Sequence, residues 1–366
     1  MNACDLALPC ITQLQPYQPG KPIEELEREL GISNIIKLAS NENPLGPSAN
    51  VLAALSTASK EIHLYPDGNG FALKTALAEK YGLLREQITL GNGSNDVLEL
   101  VARAFVASND EVIFSQYAFA VYPLVTQAIG AKSVIAAAKD YGHDLDAMSS
   151  LITDKTKLIF IANPNNPTGT SLNSDSLLTF LEQVSNNIIV VLDEAYLEYG
   201  EQDVNTLEWL DLYPNLVITR TFSKAYGLAG LRVGYSLSAP DVADLLNRIR
   251  QPFNVNSVAL TAAMVALQDE AYIQETKLCN DKGMAQLEAG FKALGLEYIP
   301  SRGNFITVDV AMNGEVCFQS LLKQGVIVRP VANYGLPHHI RVSIGLETEN
   351  KRFLEALAVT LGQHND

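Results

Sequence analysis

The sequence predicts an α/β protein built around a largely parallel sheet, because strand patterns alternate with helical patterns from residue 87 onward. Four short apolar runs bounded by Pro, Asn or Asp are typical of buried strands; they cover 111–114, 157–162, 187–196 and 216–222. Between strands, the stretch 95–105 repeats apolar residues at helical spacing. Such alternation favours parallel strands whose two faces are covered by helices.

After about residue 250 the pattern changes, which predicts a second, smaller α+β domain. A long helical stretch, 257–294, precedes three β-like runs and a final helix. The helical patch 23–31 is expected to pack with this C-terminal part. We therefore expect a large domain of residues 36–250 and a small domain formed by residues 1–35 and 251–366.

Composition narrows the classes of partner. The 366 residues carry a net charge of −15, which argues against nucleic acid or an anionic membrane and makes any cluster of arginines informative. The four cysteines show no C-x-x-C spacing, so neither a zinc site nor a disulfide framework is expected, and no other metal site is expected. No signal peptide and no membrane-spanning run is recognised. We expect a cytoplasmic protein that acts on small molecules.

The stretch ITLGNGSNDVLEL (88–100) runs from a strand through two glycines into a helix that starts at Ser94 and Asn95. Free N–H groups at a helix start suit a phosphate, and glycines let the backbone approach it. Asp96 occupies the last position of a would-be G-x-G-x-x-G, so a dinucleotide motif is excluded. By itself the stretch fits an ordinary helix cap or a phosphate site.

The stretch ANPNNPTGT (162–170) follows the second of the four strands. Its Asn-Pro and Pro-Thr-Gly steps fit a tight connection. They also place Asn165 and Asn166 at the carboxyl end of a strand, where α/β folds bind their ligands. Both interpretations remain open from this stretch alone.

Asp193 ends the apolar run of VVLDEAYLEY (190–199). A carboxylate at the end of a buried strand needs a cationic partner, because burying an unpaired charge is costly. Capping of the following segment is the alternative interpretation.

The stretch TRTFSKAYGLAGLRVGY (219–235) places Lys224 after a strand, between the hydroxyls of Thr221 and Ser223 and the guanidinium of Arg232. A lysine beside a dry pocket can lose its proton and act as a nucleophile or base. A surface lysine on a glycine-rich loop is the alternative. Because all four motifs follow predicted strands, they can form one site with phosphate donors, an aspartate and a lysine, which are the groups that pyridoxal phosphate needs.

With these motifs the chain resembles the fold-type I pyridoxal-phosphate aminotransferases, and among them the histidinol-phosphate aminotransferase group. The similarity runs from PYQPGKP near the N-terminus to HHIRVSIG near the C-terminus. It implies that Lys224 is the Schiff-base lysine and that Asp193 holds the ring nitrogen. The remaining cofactor contacts that it implies are the phosphate at Thr221, Ser223, Arg232, Ser94 and Asn95, the 3-hydroxyl at Asn166 and Tyr196, and ring stacking by Tyr117.

The resemblance also implies a homodimer with shared sites. Tyr65, in HLYPDGNG, matches the tyrosine that reaches the phosphate of the partner subunit. Asn43, in LASNENPLGPS, matches the substrate loop near the N-terminus.

Two arginines indicate the substrate. Arg329 and Arg341 lie on two β-like runs joined by a Gly-Pro turn, so both guanidinium groups could face one pocket. One arginine suits a carboxylate, whereas two suit a phosphate dianion. Tyr17 would add a phenol to this pocket. Alternatively, Arg329 pairs with surface acids.

The implied activity is reversible ping-pong transfer of an amino group between glutamate/2-oxoglutarate and imidazole-acetol phosphate/histidinol phosphate. An aromatic amino acid or prephenate aminotransferase would use the same site with a carboxylate in place of the phosphate. A phosphothreonine decarboxylase shares the same framework. A non-catalytic regulator is disfavoured, because the acidic chain has no basic patch for DNA.

Overall fold

The computed structural model describes residues 2–16, 20–200 and 205–362. Its strands are β1 Ile36–Lys37, β2 Ile88–Gly91, β3 Glu111–Ser115, β4 Lys132–Ala136, β5 Thr156–Ala162, β6 Ile189–Asp193, β7 Leu216–Thr221, β8 Gly234–Ser238, β9 Tyr298–Ile299, β10 Phe305–Asp309, β11 Val326–Ile327, β12 Arg329–Pro330 and β13 His339–Ser343.

The α-helices in the same ranges are α1 Pro9–Thr12, α2 Ile23–Leu30, α3 Ala49–Ala58, α4 Phe71–Tyr81, α5 Ser94–Phe105, α6 Val121–Ala128, α7 Leu145–Ser150, α8 Ser174–Gln183, α9 Pro240–Ile249, α10 Ser257–Gln268, α11 Glu270–Ala293, α12 Gly314–Lys323 and α13 Glu347–Gly362. Among the described residues, no helix combines the length and the apolar character needed to cross a bilayer.

The large sheet has seven strands in the order β2-β8-β7-β6-β5-β3-β4. Six of them run in parallel, and β8 runs antiparallel to its neighbours β2 and β7. The predicted α/β class with a mostly parallel sheet is therefore confirmed.

Both faces of this sheet are buried, which explains why its strands read as continuous apolar runs. Alternate residues of β5, for example Ile159 and Phe160, belong to different hydrophobic clusters on opposite faces. One face is covered by α5 and α6, and the other packs against α4 and α10. The parallel strands therefore end at one common edge.

A second, antiparallel sheet has the strand order β12-β13-β10-β9. β1 lies outside it and pairs in parallel with β11, so the chain near residue 36 packs with the C-terminal part. In contrast, α10 contributes Ala259, Ala262 and Ala263 to the core under the large sheet. Its small residues allow this close packing, so we propose to move the domain boundary from residue 250 to the end of α10.

Candidate active site

A cavity of about 180 Å³ lies at the edge where β5, β6 and β7 end. Because β8 is antiparallel, it begins at this edge, and Arg232 stands two residues before it. Residues of the second sheet close the cavity from the other side. The sequence-predicted residues in its lining are Ser94, Asn95, Asn166, Asp193, Tyr196, Thr221, Ser223, Lys224, Arg232, Arg329 and Arg341.

Lys224 follows β7 and points its amine into this cavity. Its Nζ donates to the backbone carbonyl of Ser40 at 3.0 Å and lies 5.7 Å from the centre of the Tyr196 ring. Burial, together with the positive charges of Arg341 and Arg232, lowers the pKa of Lys224 to about 7. A large fraction of the amine is therefore neutral, and nucleophilic, near neutral pH.

Asp193 ends β6 and is held by two hydroxyl groups. Tyr122 donates its hydroxyl to Oδ2 at 2.8 Å, and Thr219 donates to Oδ1 at 3.0 Å. Burial raises the pKa of Asp193, and these two hydrogen bonds oppose that rise. Each carboxylate oxygen keeps capacity to accept a further hydrogen bond from a cationic N–H group in the cavity.

Tyr122 belongs to the site although no sequence motif indicated it. It is fully buried on α6, and its ring stacks on Phe160 with the centroids 4.4 Å apart. The stacking directs its hydroxyl towards Asp193, 71 positions further along the chain. In the sequence Tyr122 is only one more apolar position on an amphipathic helix.

Several hydrogen-bond donors gather where α5 begins. Gly93 precedes the helix with φ +81°, and a β-carbon there would collide with the guanidinium of Arg232. Arg232 donates from Nη1 to Ser223 Oγ at 3.2 Å, and the backbone N–H of Ser223 donates to Thr221 Oγ1 at 3.1 Å. The free N–H groups of α5, two hydroxyls and a guanidinium thus converge on one place.

Gly234 allows this convergence. A β-carbon at Gly234 would collide with the backbone N–H of Ser94, so only glycine lets β8 lie this close to the start of α5. Within the stretch 219–235, Gly234 therefore serves packing beside the pocket, whereas a β-carbon at Gly230 would meet no atom within 4 Å.

Arg329 and Arg341 are direct cross-strand partners on β12 and β13. Directly opposed residues of an antiparallel pair point to the same face, and both side chains line the cavity. Arg341 donates from Nη1 to Asn166 Oδ1 at 2.5 Å and from Nη2 to the carbonyl of Ala39 at 2.8 Å. The two guanidinium groups place two positive charges on one wall of the cavity.

Tyr117 is not among the residues that line the cavity, and its predicted stacking on the cofactor stays a prediction. Its ring packs beside Tyr141, with the centroids 5.9 Å apart, whereas the ring of Phe119 is in the cavity lining. The chain turns between β3 and α6, and this turn brings the side chain two positions later to the site. A second aromatic residue in QYAFAVY was the available signal.

Asn43 is also not among the residues that line the cavity, whereas Asn41 is. The amide of Asn43 donates to the carbonyl of Ala225 at 2.9 Å and to the hydroxyl of Tyr272 at 3.0 Å, so it holds the loop together. That Asn43 belongs to a substrate loop stays a prediction.

Tyr65, a further predicted residue, is not among the residues that line the cavity of this chain. Tyr65 is 83% exposed and stacks on Phe253 at 4.7 Å, so its predicted action on a partner subunit stays a prediction. Tyr17 lies outside the described residues.

The seven-stranded mixed sheet and the smaller antiparallel sheet enclose a cavity that contains a lysine, an aspartate and two arginines. Residues 33–357 match the family described as aminotransferase class I and II, and the chain belongs to that family. The family resemblance inferred from the sequence motifs is thereby confirmed.

Two relatives and one solved structure are similar to the chain over nearly its full length. The chain is 59% identical over 362 residues to histidinol-phosphate aminotransferase 2 of Pseudomonas fluorescens strain Pf-5, covering 98% of each. It is 57% identical to histidinol-phosphate aminotransferase 2 of Pseudomonas aeruginosa, covering 97% of this chain and 98% of the relative. The structure of histidinol-phosphate aminotransferase from Sinorhizobium meliloti in complex with pyridoxal-5′-phosphate superposes with a TM-score of 0.91 at 29% identity, covering 97% of each chain.

Proposed function

We propose that this chain is a pyridoxal-phosphate-dependent histidinol-phosphate aminotransferase. It transfers an amino group reversibly between glutamate/2-oxoglutarate and imidazole-acetol phosphate/histidinol phosphate, in histidine biosynthesis. The observation that carries the proposal is the Arg329–Arg341 pair, which faces the same cavity as Lys224 and Asp193. The names of relatives at 57% and 59% identity support the same substrate.

The cavity fits pyridoxal phosphate by its donor set. The start of α5, Thr221, Ser223 and Arg232 suit a phosphate group, and Phe119 supplies an apolar ring for stacking. Asp193 suits a protonated ring nitrogen. The hydroxyl of Tyr196 accepts hydrogen bonds from Asn41 and Asn166, which leaves its proton for an oxygen acceptor in the cavity.

When bound, pyridoxal phosphate supplies a ring that accepts the electron pair left at the substrate's Cα. The Nζ of Lys224 removes the proton from that Cα, for which its lowered pKa of about 7 is suitable. Asp193 keeps the ring nitrogen protonated by accepting its hydrogen bond. Tyr122 and Thr219 hold the carboxylate in the orientation for this contact.

Arg329 and Arg341 bind the phosphate of histidinol phosphate. Two guanidinium groups balance a dianion, whereas the carboxylate of phenylalanine or tyrosine needs only one. This favours histidinol phosphate over an aromatic or prephenate substrate. The phosphothreonine decarboxylase alternative has less support, because the L-threonine-O-3-phosphate decarboxylase of Porphyromonas gingivalis, with a TM-score of 0.80 and coverage of 90% of this chain and 100% of that one, shares 22% identity and thus only the fold.

The protein acts as a homodimer in this proposal. Ile62, Leu64, Tyr65 and Phe71 expose large apolar side chains close together in the sequence, next to the Tyr65–Phe253 stack. An exposed apolar patch of this kind suits a second copy of the chain. Sedimentation equilibrium tests it: a dimer is expected, and Leu64→Asp is expected to shift the population to monomer.

The proposed location is the cytoplasm. Cys4, Cys10, Cys279 and Cys317 are all free thiols, which favours a reducing compartment.

The reaction is tested with purified protein loaded with pyridoxal phosphate. Incubation with histidinol phosphate and 2-oxoglutarate is expected to produce glutamate and imidazole-acetol phosphate in equal amounts. The Lys224→Ala variant is expected to form neither. Equal product formation by Lys224→Ala and the parent protein would contradict the proposal.

A further inference from the structure

Three consecutive residues, Ala39 to Asn41, contact the key side chains of the site. The carbonyl of Ala39 accepts from Arg341, and that of Ser40 accepts from Lys224. Both contacts use the backbone, which any residue supplies. Asn41 alone acts through its side chain, because its Nδ2 donates to the hydroxyl of Tyr196 at 2.9 Å.

The side chain of Asn41 is fixed in one orientation. The Ser343 hydroxyl accepts from the Asn41 backbone N–H at 2.8 Å and donates to Asn41 Oδ1 at 3.3 Å. Asn304 donates to the Asn41 carbonyl at 3.0 Å, and Asn41 is 1% exposed. With Oδ1 occupied by Ser343, the NH₂ end must face Tyr196.

Asn41 also has a backbone that few residues tolerate. Its φ of 55° lies in the left-handed region, where asparagine and glycine are favoured over other residues. The loop geometry therefore favours Asn, Asp or Gly at this position, and of these only the Asn side chain can donate a hydrogen bond to Tyr196.

The hydroxyl of Tyr196 receives a second N–H from Asn166, at 3.0 Å. A phenol with two donors directed at its oxygen must send its own proton elsewhere. Within the described part of the chain, no acceptor for that proton is hydrogen-bonded to Tyr196, and its side chain lines the cavity. The proton therefore points towards whatever occupies the cavity.

We infer that Asn41 is a positioning residue that, with Asn166, directs the Tyr196 proton to the 3-oxygen of the bound cofactor. The inference rests on the proposed function, in that the ligand is pyridoxal phosphate or its amine form. It adds a requirement that the cofactor-binding motifs do not contain, because Asn41 comes from the loop before α3 and is held by residues of the second sheet, Ser343 among them. Burial raises the pKa of Tyr196 to about 12, so the phenol keeps the proton that it donates.

The test compares two ligands that cannot react with Lys224: pyridoxamine 5′-phosphate and its 3-deoxy analogue, which lacks the 3-oxygen. Equilibrium dialysis of the cofactor-free protein gives a Kd for each. For the parent protein, the Kd of pyridoxamine 5′-phosphate is expected to be about tenfold or more below that of the 3-deoxy analogue. A hydrogen bond to a charged or strongly polar oxygen contributes to the binding of the first ligand only. The ratio of the two Kd values isolates this one oxygen from all other contacts.

Two variants of Asn41 separate the hydrogen bond from the backbone. Asn41→Gly keeps the left-handed conformation and removes the donor. Asn41→Asp keeps the size but offers only an acceptor, which takes the Tyr196 proton for itself. Both are expected to bring the ratio close to that of Tyr196→Phe, while the affinity for the 3-deoxy analogue falls far less.

Asn43→Ala is the matched control, since Asn43 lies in the same loop and its amide donates away from Tyr196. It is expected to weaken both ligands equally and to leave the ratio unchanged. An unchanged ratio in Asn41→Gly and Asn41→Asp would overturn the inference while the proposed function stands. Failure of the parent protein to bind pyridoxamine 5′-phosphate would overturn both.

Discussion

Arg341 donates from Nη1 to Oδ1 of Asn166 at 2.5 Å, which joins β13 of the second sheet to the turn after β5 of the large sheet. The other end of the same amide donates to the hydroxyl of Tyr196. Asn166 therefore connects the arginine proposed for the substrate phosphate with the phenol proposed for the cofactor. Substrate and cofactor binding share one hydrogen-bonded chain.

Replacing Arg341 is expected to damage substrate binding most. Arg341→Gln removes a buried charge that faces the substrate and also removes a donor from Asn166. We expect kcat/KM for histidinol phosphate to fall about 100-fold, as for the loss of one member of a buried charge pair. Steady-state kinetics measures this, and Arg329→Gln, on the neighbouring strand, is expected to have a smaller effect. A kcat/KM unchanged in Arg341→Gln would contradict the assignment.

The lowered pKa of Lys224 predicts how the cofactor-free protein takes up pyridoxal phosphate. Only the neutral amine adds to the aldehyde, and the amine is protonated below its pKa of about 7. The rate constant of uptake should therefore rise about tenfold per pH unit below this value and level off above it. Stopped-flow absorbance between pH 5 and pH 9, a window chosen about two units to each side, records the profile. A rate constant that still rises about tenfold per pH unit up to pH 9 would show that Lys224 keeps the ordinary lysine pKa and that its amine is not desolvated.

Phe119 and Tyr117 provide a paired test of the cavity lining. Phe119→Ala removes a ring from the cavity and is expected to weaken binding of pyridoxamine 5′-phosphate by about tenfold, the size of a lost stacking contact. Tyr117→Ala should change the affinity much less, because that ring packs beside Tyr141. Equilibrium dialysis of the two variants side by side shows which ring contributes more to ligand binding. A larger loss of affinity in Tyr117→Ala would assign the stacking to Tyr117.

The ion pair of Glu194 and Arg220 is expected to stabilise the large sheet next to the site. The two side chains are 2% and 8% exposed, and Thr206 donates to the other oxygen of Glu194 at 2.6 Å. Arg220→Met leaves a carboxylate buried without its partner and should lower the free energy of unfolding by about 3 kcal/mol.

Thermal unfolding of the cofactor-loaded protein measures the loss as a lower midpoint. Arg248→Met is the control, since the Arg248–Asp244 pair is exposed and its loss should cost less than about 1 kcal/mol. Equal midpoints for the Arg220 and Arg248 variants would mean that the buried pair does not stabilise the protein.

The edge of the large sheet could be predicted because its strands are buried on both faces. Continuous apolar runs identify such strands, and polar residues that follow them, such as Asp193 and Lys224, must lie at a common edge. The pairing of Arg329 with Arg341 could also be predicted, since a turn that contains Gly335 and Pro337 between two β-like runs predicts an antiparallel pair.

The positions of the remaining site residues could not be predicted, because hydrophobic periodicity does not show how a loop turns or which distant side chains meet. Phe119 rather than Tyr117 faces the cavity because of the turn between β3 and α6. Asn41 rather than Asn43 lines it, and both asparagines suit such a loop, so the sequence alone does not distinguish them. The contact of Tyr122 with Asp193 joins distant parts of the chain, so only the packed structure reveals it.

The most direct test of the proposed substrate is a comparison of kcat/KM for histidinol phosphate, phenylalanine and tyrosine, each with 2-oxoglutarate as amino acceptor. The cavity wall formed by Arg329 and Arg341 predicts the highest value for histidinol phosphate, because only this substrate brings a dianion to both guanidinium groups. A higher kcat/KM for phenylalanine or tyrosine would contradict it.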